Sequence, residues 1–109
     1  MSASHMALVV SHSASKAVTR LVAMSLANNY DPEADYSVAS IDLLCREANA
    51  TPAQVARAFD QLLKLGEWSR PTINGTRVMR LVLRCPLECD RTAAHRTKSD
   101  FAALSPRRA

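Results

Sequence analysis

Two stretches of helical periodicity meet across only four residues, Asn49-Ala50-Thr51-Pro52. Asn49 takes the left-handed turn conformation more cheaply than any residue but glycine. Thr51 is a good N-cap, and Pro52 fits the first turn of a helix, where a backbone N–H has no partner to lose. Upstream, Ser40 is placed to cap a helix over residues 41–48, with Ile41, Leu44 and Cys45 on one face. Downstream, Val55, Ala56, Phe59, Leu62 and Leu63 recur at helical spacing, and Gly66 ends the run. Two amphipathic helices joined by so short a turn match a helix-turn-helix. With its apolar side turned to the core, the second helix leaves its polar side to solvent.

After Gly66 the period changes from helix to strand. Residues 68–73 and 76–83 flank Asn74-Gly75, the strongest short hairpin signal. A two-residue loop sets Trp68 opposite Leu81, Arg70 opposite Met79 and Thr72 opposite Arg77. Pro71 restricts its strand to a sheet edge, because it has no N–H to donate. An earlier helix is expected over residues 15–27, carrying Ala17, Val18, Leu21, Val22, Met24 and Leu26, and Asn28-Asn29-Tyr30-Asp31-Pro32 stops it. Tyr36-Ser37-Val38 has room for a short strand. The fold class is therefore α+β: three helices and a C-terminal two-stranded β-hairpin wing, in one domain over residues 13–85. Residues 1–12 are expected to be flexible, with Met6 a second candidate start. Residues 86–109 are expected to form a basic tail, partly disordered.

At 109 residues the chain has length for one modest core. With few aromatic residues (Trp68, Tyr30, Tyr36, Phe59, Phe101), that core must be largely aliphatic. No apolar run approaches the roughly 20 residues of a membrane span, and no signal-peptide pattern opens the chain. Cys45, Cys85 and Cys89 are odd in number, which argues for reduced thiols in a cytoplasmic setting rather than a disulfide framework. The net charge is +4, and its whole excess lies beyond residue 65. There nine basic residues face Glu67, Glu88, Asp90 and Asp100. A polyanionic partner is the economical inference.

The segment Leu44-Cys45-Arg46-Glu47-Ala48-Asn49-Ala50-Thr51-Pro52-Ala53-Gln54-Val55-Ala56-Arg57-Ala58-Phe59-Asp60-Gln61-Leu62-Leu63-Lys64-Leu65-Gly66 resembles the core of GntR-like and related bacterial winged helix-turn-helix regulators. It is also similar in kind to small winged-helix proteins of actinobacterial plasmids and phages. In these families a Val, an Arg-Ala pair, a following apolar residue and a final Leu-x-x-x-Gly recur on the recognition helix. The resemblance rests on this stretch of 23 residues. It departs at Asn49, where the family usually has Gly. It implies a sequence-specific double-stranded DNA-binding protein, either a transcriptional regulator or a replication or excision accessory factor, with a recognition helix over about 52–65.

A helix fits the major groove and reads base edges with its exposed N-terminal residues. On that geometry Ala53, Gln54, Arg57, Gln61 and Lys64 face outward. Gln54 is suited to adenine and Arg57 to guanine or phosphate. Thr51 at the helix start is suited to phosphate. Arg70, Thr72, Asn74, Thr76 and Arg77 would form the wing, with Arg80 and Arg84 extending its basic edge. Arg46 and Glu47 read as surface charges. Asp60 counts against phosphate approach and favours the alternative, a winged-helix module that binds a protein. So small a reader is expected to act as a homodimer or a cooperative array.

Chemistry finds little footing. Two glycines, Gly66 and Gly75, cannot build a phosphate-cradling loop, and no nucleophile motif is present. The Asp31, Glu33 and Asp35 cluster lacks the Gly and terminal Glu of a calcium loop. Cys85-Pro86-Leu87-Glu88-Cys89 followed by His95 makes a C-x3-C-x5-H run, to which Cys45 would be the fourth donor. That spacing is not a standard finger pattern, and Cys45 fits a buried helix face. The thiols are read as inert, His5 and His12 as residues of flexible chain, and no enzyme activity, metal or cofactor is expected.

Overall fold

The structure is a computed structural model and describes residues 3–87, 89–91 and 95. Four helices are present among them, not three. Helix α1 (Ala3–His12) occupies residues expected to be flexible, and it is held by burial. Its Val9 is fully buried, and Met6 and Leu8 pack on the same cluster. The sequence signal for α1 is weak because it has no acidic first turn and no broad apolar stripe. Helix α2 (Ala17–Asn28) is central and packs against α1 and the two later helices through Val22, Ala23, Leu26 and Ala27. It begins two residues later than expected, and Asn29 closes it with its N–H on the Ser25 carbonyl.

Strands β1 (Tyr30–Asp31) and β2 (Tyr36–Ser37) form a small hairpin. Helix α3 (Ile41–Ala48) is capped by Ser40, whose Oγ accepts the Leu43 N–H at 3.1 Å. Asn49 does adopt the left-handed conformation, at φ 52°, and the Ala50 N–H closes the turn on the Cys45 carbonyl. Helix α4 (Pro52–Lys64) follows at once. Its buried residues are Val55, Ala58, Phe59 and Leu62. Ala56, assigned to the core side from sequence, is exposed, and Ala58 takes the buried place. Ile41 is likewise 42 % exposed, whereas Leu44 is buried. At the end of α4, Gly66 at φ 72° donates its N–H to the Leu63 carbonyl, and the Glu67 N–H reaches the Leu62 carbonyl. Paired bonds of this kind end a helix with a left-handed residue.

The hairpin has the expected register. Strands β3 (Trp68–Ser69) and β6 (Arg80–Leu81) pair Trp68 with Leu81, and β4 (Thr72–Ile73) and β5 (Thr76–Arg77) pair Thr72 with Arg77. Asn74 at φ 52° and Gly75 at φ 79° make a loop with two left-handed residues, as a right-twisted ribbon requires. The ladder breaks between the two halves at Arg70-Pro71, so the Arg70–Met79 pairing is not formed. Met79 instead bridges Ser37, whose N–H donates to its carbonyl at 2.9 Å. The base of the hairpin thus has β2 on one side of the β6 segment and β3 on the other, with β3 outermost, as Pro71 requires. The core gathers Tyr30, Trp68, Met79 and Leu81 from these strands with the apolar faces of all four helices.

Candidate nucleic-acid interface

The outer side of α4 and the tip of the β4–β5 hairpin form the exposed polar surface singled out from sequence. Ala53, Arg57, Gln61 and Lys64 are exposed on α4, with Asp60 among them. Thr72, Asn74, Thr76 and Arg77 are exposed on the hairpin. Arg70 joins the two surfaces. Its guanidinium carbon lies 4.8 Å from the centre of the Phe59 ring on α4. It also senses the charges of Arg77 on β5 and Asp60 on α4. Burial, followed by repulsion from Arg77, lowers the Arg70 pKa below its ordinary value. An arginine has ample margin to stay charged. Its Nε is buried without a hydrogen-bond partner among the described residues, so Arg70 packs the hairpin onto α4 rather than reaching out.

Thr51 and Gln54 turn toward each other. The Thr51 Oγ1 accepts the Gln54 N–H at 3.2 Å, while the Gln54 Oε1 accepts the Thr51 N–H at 2.8 Å. This reciprocal box satisfies two N–H groups that the first turn would otherwise leave without partners. It occupies the carboxamide oxygen that reading adenine in bidentate fashion would need. The sequence carries the signal for this box, Thr-x-x-Gln ahead of an apolar run. Arg80 is engaged as well: its Nε donates to the Asp35 carbonyl at 2.9 Å and lies 3.5 Å from Asp35 Oδ2. Arg84 is exposed, one of its nitrogens donating to the Leu83 carbonyl. The sites expected from sequence therefore divide into an available group (Ala53, Arg57, Gln61, Lys64, Thr72, Asn74, Thr76, Arg77) and an engaged group (Thr51, Gln54, Arg70, Arg80).

A groove of about 490 Å³ runs between the hairpin and the start of α3, lined in part by Val38, Ile41, Phe59, Ile73, Arg77 and Met79. The chain has no match among family models, curated proteins or solved structures.

Several polar residues hold this platform together, among them Glu47, which reads from sequence as a surface charge. Glu47, at the end of α3, accepts from Ser25 Oγ and from Asn29 Nδ2, so it ties α3 to α2. Glu67 is buried, and its carboxylate accepts from Ser13 Oγ and the Ala14 N–H, fixing the α1–α2 link to the end of α4. The Arg20 guanidinium donates to the Val10 and Ser13 carbonyls at the end of α1. Cys85, Cys89 and His95 also come together, but the residue that joins them is His12 at the end of α1 and not Cys45. His5 is likewise not in loose chain, since its ring stacks on Tyr30 at 4.1 Å.

Proposed function

We propose that this chain is a winged helix-turn-helix protein that binds double-stranded DNA in two or more copies, with α4 in the major groove and the β4–β5 hairpin on the sugar-phosphate backbone. One observation carries the reading: α4 leaves Arg57, Gln61 and Lys64 exposed, and the hairpin that Arg70 packs against α4 leaves Arg77 exposed near its tip. Strand β2 beside β6, and β3 beyond it, supports the winged form, because this order props a hairpin against the end of a recognition helix. Helix α1 is an addition to that form. The base-reading role narrows to Arg57 and Gln61, since Thr51 and Gln54 hold the cap. Arg57 is suited to guanine through its two-pronged donor edge, and Arg77, Thr76 and Asn74 to phosphate oxygens. Among the described residues no helix is long and apolar enough to cross a membrane.

Binding to random and selected duplexes, followed across a salt series, tests this reading. Affinity falls steeply with salt if phosphates are neutralised. Arg57→Ala relaxes base preference at one position, at a cost of about 1–3 kcal/mol, while Arg77→Ala weakens binding to all sequences alike. Equal losses on every sequence for both variants would remove α4 from the groove. A second reading, a winged-helix module for a protein partner, is favoured by Asp60 on the outer face of α4. Absence of any salt-sensitive retardation at low ionic strength would select it.

A further inference from the structure

We propose that His12, Cys85, Cys89 and His95 bind a single zinc ion that clamps the end of α1 to the segment following β6. One donor atom from each of the four lies within 4.8 Å of every other. His12 Nε2 is 3.2 Å from Cys89 Sγ, and His95 Nδ1 is 3.3 Å from Cys85 Sγ and 3.5 Å from Cys89 Sγ. The rings of His12 and His95 stand edge to face, with centroids 5.1 Å apart. Zinc bonds of about 2.3 Å to sulfur and 2.0–2.1 Å to nitrogen, set tetrahedrally, give N···S edges of about 3.6 Å and an S···S edge of about 3.8 Å. The three N···S distances of 3.2, 3.3 and 3.5 Å lie just inside that edge, and no pair of the four donors is farther apart than 4.8 Å.

Hydrogen bonds alone do not account for the grouping. A ring nitrogen has either one proton or one lone pair to offer, yet His95 Nδ1 lies against two sulfurs. Cys89 Sγ in turn faces both imidazoles and also accepts the Arg91 backbone N–H at 3.3 Å. Four soft or borderline donors converging on one point are satisfied together by a cation at that point. An S2N2 set points to zinc among the metals that prefer a tetrahedron. The Arg91 N–H gives one thiolate the supporting hydrogen bond that metal-bound sulfur takes. Two thiolates and two neutral imidazoles leave the zinc site with no net charge, which suits the 4 % exposure of Cys89.

The consequence is structural. Residues 12 and 89 are 77 positions apart in the chain, and a small domain gains much of its stability from such a clamp. The role is independent of DNA binding, so either reading can fail alone.

The full chain purified without chelator should carry one zinc per chain by mass spectrometry of the elements. Cobalt titrated into the metal-free protein should give the visible spectrum of a tetrahedral S2N2 site, and zinc should displace it. Cys45→Ser should leave this unchanged. His12→Asn should weaken cobalt binding by more than the roughly 100-fold that a supporting hydrogen bond can cost. In the unaltered protein, zinc should shield Cys85 and Cys89 from alkylation and its removal by chelator should expose them, a readout that needs no variant to fold. The proposal is overturned by purified protein that holds no zinc and develops no cobalt spectrum. A Cys85–Cys89 disulfide in protein kept under reductant, or undiminished cobalt binding by folded His12→Asn, would overturn it equally.

Discussion

Removing one oxygen from Tyr30 tests how the sheet is joined to the helices. The Tyr30 hydroxyl donates to Asp35 Oδ1 at 2.7 Å and accepts the Leu81 N–H at 3.1 Å. Its ring stacks on His5 and stands edge-on to Trp68, 6.2 Å between centroids. Tyr30→Phe keeps the ring, so almost no cavity opens, and the cost is polar. The Leu81 N–H, left buried and unpaired, costs about 1–3 kcal/mol. The Asp35 side chain is 60 % exposed and regains water, so its lost bond adds no more than about 0.5 kcal/mol, the low end for a hydrogen bond. A destabilisation near 2 kcal/mol follows, or a fall in Tm of roughly 8–16 °C for a domain of this size. Urea unfolding followed by Trp68 fluorescence and by far-ultraviolet dichroism measures it. The slope with urea should not change, because the surface exposed on unfolding is the same. A loss below about 0.5 kcal/mol would refute the reasoning, since it would mean that the Leu81 N–H finds water or another partner.

The same hydroxyl predicts an alkaline transition. Burial, with the Asp35 bond second, raises the Tyr30 pKa from 10.0 to about 12. The unfolded chain therefore ionises first; the stabilisation is complete below pH 10 and is lost as the pH rises toward 12. Denaturation across that range should show a steeper fall for the unaltered protein than for Tyr30→Phe. Glu67→Ala strips the acceptor from Ser13 Oγ and the Ala14 N–H and should cost about 3–6 kcal/mol, at about 1.5–3 kcal/mol for each bond to a charged group. Urea unfolding checks this, and Glu67→Gln should lose less, because it keeps one acceptor oxygen.

What was legible in the sequence was local. The Asn49 turn, the Thr51 and Ser40 caps, the Gly66 stop and the Asn74-Gly75 loop each need only a few neighbouring residues, and all stand as expected. The strand register followed from the loop, because side chains alternate with a period of two. Most of what escaped is held by distant partners. Helix α1 has little amphipathic pattern of its own and is fixed by Val9 in the core and by Glu67, 54 positions from Ser13. His12 lies 77 positions from Cys89, so no spacing rule links them, and Cys45 drew attention only through its identity. The Pro71 break was half legible: the edge position was expected, but not that Met79 would turn to β2.

The division of the candidate surface into available and engaged residues has an electrostatic consequence. On the outer face of α4, Arg57 and Lys64 are set against Asp60, so that helix would bring only one net positive charge to a duplex. Arg80 is partly neutralised by Asp35, and Arg70, though charged, is packed against the Phe59 ring. The available cations of the candidate surface and its basic edge are then Arg57, Lys64, Arg77 and Arg84. If three or four of these meet phosphates, log affinity should fall against log salt with a slope of about −3 per copy. A single copy at physiological salt would be weak. Two copies on adjacent half-sites would give a slope near −6 and add their base contacts, so the proposed mode of binding requires the pair. A slope near −3 with one protein bound per duplex, at high affinity, would contradict that requirement. A slope steeper than about −4 for a single bound copy would show that further cations carry the contact.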